Sequence, residues 1–259
     1  MFIPKFLSHF APLASPLADH RQQAQLGERL KGTLYEMVHC LTAVIDAKDP
    51  YTCGHSERVA RIGVRLGKEM ALPEKTLGDL YLGGLLHDIG KIGVKDSVLL
   101  KEGRLTAAEY EHIQQHTIIG ERIVSKVEEL ARLRPVVRNH HERYDGQGYP
   151  DGLAGEAIPL LARVLAVADS CDAMMSARPY RRAMAPESID RVLADGAGAY
   201  WDPVVVEHFL ACRREIYSVY QRGTGESPYE ATGRAAEEDT LADLRSSLLT
   251  LAATDDPTA

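Results

Sequence analysis

The chain has 259 residues, of which 45% are apolar and 26% charged. That is enough to build a sizeable core and too apolar for wholesale disorder. Thirty basic residues against 37 acidic ones give a formal charge of −7, which speaks against a nucleic-acid coat or another polyanion binder.

Residues 1–25 contain three prolines and little periodicity and read as a loosely ordered lead-in. They lack the continuous apolar stretch of a secretory signal, and no run approaches a membrane span. From Leu26 the pattern turns helical, with Leu30, Leu34, Met37, Leu41 and Ile45 at three- and four-residue steps. A second helix is expected over Glu57 to Met70, and a third with Pro73 as its first residue. Thr106 and Glu109 form a capping-box pattern at the start of a helix through Ile113. Ile158 to Met175 predicts a long, buried helix. Glu187 to Leu193 and Val204 to Tyr220 complete the set. No run alternates as a strand does, so the fold class is all-α. Between helices, Asp145 to Ile158 holds four glycines and a proline, the composition of a loop that needs close backbone approach or positive φ.

The four cysteines are Cys40, Cys53, Cys171 and Cys212. None forms a Cys-x-x-Cys pair, so the expectation is small, mostly buried thiols in a reducing cytosol. After Arg222 the chain becomes polar and acidic and reads as a linker. A stripe of Leu241, Leu244, Leu248 and Leu251 follows, either a helix packed back on the domain or a contact with a partner. Residues 223–259 carry a net charge of −6 and residues 1–222 only −1. The overall acidity therefore describes the tail, and local charge decides whether an anion binds elsewhere.

Five of the ten histidines stand in suggestive places: His55, His87, His116, His140 and His141. Asp88 follows His87 directly, and Asp169 lies within an apolar helix, where a carboxylate is costly unless paired or bound to metal. Five imidazoles and two carboxylates suit a centre of two metal ions. Two cations about 3.5–4 Å apart can clamp the attacking and leaving oxygens of a phosphoryl displacement. No Ser or Cys nucleophile is signalled. Cys53 and Cys171 flank ligand candidates, but core filling is their better reading. Lys91 comes four residues after His87, so on a continuing helix it would face the same way, although Gly90 suggests a helix end there. By spacing alone it is either a solvated surface lysine or a partner for a non-bridging or leaving phosphate oxygen. Arg178 and Arg181, three apart, offer guanidinium forks for phosphate.

Taken together, these segments resemble the HD-GYP family of bacterial cyclic-di-GMP phosphodiesterases. The resemblance is carried by Asp49-Pro50-Tyr51-Thr52-Cys53-Gly54-His55, by His87-Asp88-Ile89-Gly90-Lys91 and by His116 with Gly120. His140-His141-Glu142 leads into the signature Gly148-Tyr149-Pro150. Asp169-Ser170-Cys171-Asp172-Ala173-Met174 and Arg178-Pro179-Tyr180-Arg181 follow. It runs from about Leu30 to about Tyr220.

The resemblance implies a helical bundle with metals held between helices. His55, His87, Asp88 and Asp169 would bind one ion. Asp88, His116, His140 and His141 would bind the other, with Asp88 bridging. Iron or manganese is the implied metal. Tyr51 stands where some members carry a glutamate for a third ion, so two are expected. Thr117 stands where proline is common. The implied reaction is hydrolysis of cyclic di-GMP to pGpG by a metal-bridging hydroxide, with a second round to GMP open in the family, and Tyr149 either contacts the substrate or anchors its loop. The alternatives are a silent adaptor acting through protein contacts and the same chemistry on cyclic GMP-AMP. The catalytic domain is expected at 26–222, and the lack of a signal or membrane span together with the cysteine usage gives the expectation of a cytoplasmic protein that binds neither a nucleic-acid polymer nor a membrane. No sensory domain is expected ahead of it, so regulation would come through a homodimer, a protein partner or the tails.

Overall fold

The computed structural model describes residues 16–49, 54–176 and 182–223. The chain divides into two compact units, Met1–Met37 and Val38–Ala259. Helix α1 covers Pro16–Lys48, beginning earlier than the apolar periodicity indicated, because residues 16–25 are polar and carry no stripe to read. In the first unit Leu26, Leu30 and Met37 are exposed.

The second unit is a helical bundle. After the last turns of α1 come α2 (His55–Glu69), α3 (Glu74–Leu86), α4 (Asp96–Leu99) and α5 (Ala107–Val124). Then follow α6 (Arg134–Asn139), α7 (Leu160–Met175), α8 (Pro186–Gly196) and α9 (Pro203–Gly223). Short 3₁₀ segments occupy Ile89–Gly93, Glu128–Leu133 and Gly155–Ala157. Among the described residues there is no strand, only the isolated bridges Asp145 to Ala154 and Ala197 to Trp201, in keeping with the all-α expectation. None of their helices is long and apolar enough to cross a membrane.

Sequence signals explain most of the boundaries. Pro73 precedes α3 as its N-cap rather than opening it. Thr106 accepts from the Glu109 amide while the Glu109 side chain accepts from the Thr106 amide, so the capping box forms as expected. The helix it starts runs well past Ile113, to Val124. Helix α6 escaped sequence analysis, since six residues are too few to establish a period.

The core lies where α2, α7 and α9 meet, with α3 and α8 against them. Val59, Ile62 and Leu66 of α2 pack with Leu80 of α3 and with Leu165, Ala168 and Cys171 of α7. Ile189 and Leu193 of α8 and Phe209, Cys212 and Ile216 of α9 complete the cluster. Cys171 and Cys212 are free and buried, whereas Cys40 is exposed. Helix α2 carries the half-buried i,i+4 ion pairs Arg61–Glu57 at 2.7 Å and Arg65–Glu69 at 2.8 Å. Val38, Thr42 and Ile45 at the end of α1 are buried, and the Thr42 hydroxyl donates to the Leu85 carbonyl at 3.2 Å. That bond holds the last turns of α1 against the end of α3, beside the histidine cluster.

Leu165 is fully buried at the centre of this cluster. Leu165→Ala is expected to cost about 2–5 kcal/mol of folding stability, read as a lower midpoint in urea denaturation with an unchanged slope.

Candidate metal centre

Helix α3 ends at Leu86, with His87 as its C-cap. Asp88 leaves the helical basin at φ −96°, ψ 5°, and a 3₁₀ segment begins at Ile89. This corrects one expectation. Lys91 does not share a continuing helix with His87. The 3₁₀ turn has three residues per turn, so Lys91 stacks over Asp88 instead. The Lys91 ammonium lies 2.7 Å from Asp88 Oδ2 and 3.6 Å from Asp49 Oδ2.

The turn is possible because of Gly90. A Cβ there would lie 1.8 Å from the His116 carbonyl oxygen and 2.5 Å from the Gly120 amide nitrogen. These are backbone atoms that cannot rotate away. The absent side chain lets the 3₁₀ segment touch α5 and brings Asp88 beside His116.

All seven sequence-predicted ligands converge. One potential ligand atom from each of Asp88, His116, His140 and His141 lies within 4.8 Å of the others, and the same holds for His55, His87 and Asp88. Asp88 belongs to both groups. Its Oδ2 is 3.3 Å from His87 Nε2 and its Oδ1 is 3.4 Å from His116 Nε2. Asp169 joins through His55, its Oδ1 3.2 Å from Nε2.

The hydrogen bonds of the rings test whether a cation fits. Nδ1 of His87, His116 and His140 meets the carbonyl three residues back, those of Gly84, Ile113 and Val137, at 2.7, 2.7 and 2.9 Å. A carbonyl only accepts, so Nδ1 carries the proton and, in a neutral ring, Nε2 presents a lone pair. Yet His116 Nε2 and His140 Nε2 stand 3.4 Å apart, and neither can donate to the other when both rings are neutral. His87 Nε2 and Asp88 Oδ1 are buried and make no hydrogen bond. Buried acceptors facing one another are costly unless a cation lies between them. The donor set of imidazole nitrogens and carboxylate oxygens fits divalent transition metals.

The electrostatics agree. Burial, reinforced by neighbouring imidazoles, holds His140 well below the usual histidine range and takes His141 down to about 4. Burial also lowers His116. These rings are neutral, as ligands must be. Burial opposes charge on His55 as well, but Asp169 and Asp172 outweigh it and lift its pKa to about 9. His87 rises for a similar reason, through Asp88. Burial disfavours the Asp88 carboxylate, yet Lys91 and His87 hold it well below the normal range. The pocket therefore calls for positive charge between its imidazoles and its carboxylates.

The loop expected between helices forms the other wall. Gly148 has no room for a side chain, since a Cβ would lie 2.2 Å from the Arg143 amide nitrogen. Gly146 and Gly152 take positive φ, and the Tyr149–Pro150 peptide is cis. Buried Glu142 accepts from the Asp151 amide at 2.8 Å and the Leu153 amide at 3.1 Å. Asp151 in turn pairs with Arg138 at 2.7 Å and accepts from Asn139 at 2.9 Å. The loop so held lays the Tyr149 ring over His141, centroids 4.9 Å apart at 33°, with half-exposed Tyr110 at its edge, 6.2 Å away.

Arg178 and Arg181 lie outside the described residues, as do Tyr51, Cys53 and the leucine stripe of the tail. Four residues with contacts here had no role assigned from sequence: Asp49 beside Lys91, Glu142 under the loop, and Arg58 and Asp172 behind His55. A signal was present for the last two. Arg58 follows His55 by three residues and Asp172 follows Asp169 by three, a spacing that shares one helix face.

The description "HD domain" belongs to the family model that matches residues 39–205. A cyclic di-GMP phosphodiesterase of Thermotoga maritima is 40% identical over 204 residues, covering 78% of this chain and 55% of that protein. The 3'3'-cGAMP-specific phosphodiesterase 3 of Vibrio cholerae is 42% identical over 151 residues, covering 58% of this chain and 32% of its own length. Among solved structures, a cyclic GMP-AMP specific phosphodiesterase of V. cholerae superposes with a TM-score of 0.57 at 20% identity. The match covers 86% of this chain and 60% of that one and supports the same fold. The chain spans about half the length of the curated relatives it matches.

Gly90→Ala should force the 3₁₀ segment off α5 and separate Asp88 from His116. The expected outcome is a loss of at least about 2 kcal/mol of stability together with weakened binding of added Mn²⁺, read by thermal melting and equilibrium dialysis.

Proposed function

Because the chain belongs to the HD domain family, we propose that residues 26–222 form a metal-dependent phosphodiesterase that hydrolyses cyclic di-GMP to pGpG. The observation that carries this reading is the grouping of five imidazoles around buried Asp88, whose two oxygens lie 3.3 Å from His87 Nε2 and 3.4 Å from His116 Nε2. His55, His87, Asp88 and Asp169 would hold one divalent ion, and Asp88, His116, His140 and His141 the other, iron or manganese in each case. When bound, such ions make hydroxide available near neutral pH and neutralise charge on the phosphate.

The chain's own groups do the rest. The Lys91 ammonium stays charged despite burial, because Asp88 and Asp49 face it. It is placed to meet a non-bridging phosphate oxygen or the departing ribose 3′ oxygen. Burial first, then Tyr110, Asp88 and Asp169, push the Tyr149 phenol up. It remains neutral, so it donates a hydrogen bond to phosphate or offers its face to a purine. Arg178 and Arg181 are proposed to meet phosphate through their guanidinium forks. The net reaction adds water across one P–O3′ bond, and the second phosphodiester stays intact in pGpG.

The relatives support a substrate class and one alternative within it. Since the Vibrio relative is named for 3'3'-cGAMP, cyclic GMP-AMP is the second reading. A cytoplasmic location suits either messenger and the free, buried Cys171 and Cys212.

The test is anaerobic purification, elemental analysis and chromatography of digests of both dinucleotides. Two ions per chain and conversion of cyclic di-GMP to pGpG are expected, with faster loss of cyclic GMP-AMP selecting the second reading. Both dinucleotides left intact by the metal-loaded protein would overturn the proposal. The double variant His87→Ala, Asp88→Ala should bind no more than a trace of metal and turn over nothing. Lys91→Met should keep its metal while kcat falls about 100-fold, the scale for removing one group that stabilises transition-state charge.

A further inference from the structure

The four site imidazoles with assigned Nδ1 partners are not held alike. His87, His116 and His140 each donate Nδ1–H to the carbonyl three residues back, an acceptor no substitution can remove. His55 is the first residue of α2, so no turn of that helix precedes it to supply such a carbonyl. Its Nδ1 instead lies 2.8 Å from Asp172 Oδ2. Asp172 sits one turn beyond Asp169 on α7, and Asp169 Oδ1 is 3.2 Å from the same ring's Nε2. Helix α7 therefore grips the His55 ring on both nitrogen edges.

Asp172 is itself fixed. It is fully buried, and Arg58 meets it with a two-pronged fork, Nε to Oδ1 at 2.6 Å and Nη2 to Oδ2 at 3.0 Å. Arg58 is one turn along α2 from His55, so the orienting pair spans the same two helices as the ligands it orients. Ser176 closes the arrangement, its hydroxyl 3.5 Å from Asp172 Oδ2 and 3.4 Å from Arg58 Nη2. A carboxylate draws the Nδ1 proton more strongly than a carbonyl does and makes the opposite nitrogen a better metal donor.

From this asymmetry we infer that Asp172, backed by Arg58, is a positioning residue that sets the occupancy of the His55–Asp169 metal position alone. The inference rests on the two-ion reading above. Breaking the relay produces a half-loaded centre, because the ion among Asp88, His116, His140 and His141 has its rings held by backbone or by other walls of the pocket.

The experiment is a Mn²⁺ titration of the whole chain by equilibrium dialysis with elemental analysis. Electron paramagnetic resonance then distinguishes a coupled manganese pair from an isolated ion. Wild type should bind two ions. Asp172→Asn, which keeps the shape and removes the charge, should keep one ion at unchanged affinity and bind the other 10–100-fold more weakly, with the spectrum of an isolated ion. Excess Mn²⁺ should restore the coupled signal. Where Asp172→Asn does not melt cooperatively, Arg58→Lys carries the same test. It keeps the positive charge and loses the fork, so a smaller weakening of the same single ion is expected. Two ions at wild-type affinity, or both weakened together, would overturn the inference while leaving the two-ion reading intact. Wild type that binds no metal would remove that reading and the inference with it.

Discussion

A buried carboxylate between two sets of imidazoles is the constraint on which the rest of this molecule depends. Asp88 has one oxygen toward His87 and the other toward His116, with the Lys91 ammonium as its nearest full positive charge. Leaving a carboxylate in such a place without compensation is expensive. Its surroundings follow from that cost. Helix α3 must stop so that adjacent residues His87 and Asp88 can look into one pocket from different directions. The 3₁₀ turn then brings Lys91 back over Asp88, and Gly90 lets the turn lie against α5.

Orientation of the ligands is distributed between backbone and side chains. A helix carbonyl three residues back aims three rings without spending another residue, and it fixes which nitrogen keeps the proton. His55, at a helix start, needs a partner from elsewhere, and α7 provides it. This places a second buried carboxylate, Asp172, behind the centre, where Arg58 balances it. The buried side-chain atoms left without a hydrogen bond among the described residues include Nε2 of His87 and Oδ1 of Asp88. These two belong to the residue groups that could hold a metal ion, and a cation there would satisfy both.

The apolar core and the loop serve the same end at longer range. Packing of α2 against α3 and α7 sets the separation of the His55 and His87 rings, whose centroids lie 5.4 Å apart. The Glu142 and Asp151 bonds hold the glycine-rich loop so that Tyr149 covers His141. Rigidity in the loop comes from the buried Glu142 carboxylate and the exposed Asp151 pair, because its glycines contribute none.

The seven ligand candidates and the helical class were legible from sequence. So were the capping box at Thr106 and the loop before α7. Each rests on local information: residue chemistry, short spacing, turn composition, and motifs in a recognisable order. Local information failed where the backbone changed period. Lys91 was given a direction only for a continuing helix; Gly90 signalled a helix end there, but no local pattern announces a 3₁₀ turn whose shape depends on α5. Short α6 and the polar start of α1 offered no stripe. What only the tertiary structure decided is which oxygen of Asp88 faces which ring, which nitrogen of each ring is free, and that Asp172 and Arg58 stand behind His55. The last of these joins residues more than a hundred positions apart. These relations follow from how closely three helices pack, a property no single segment carries.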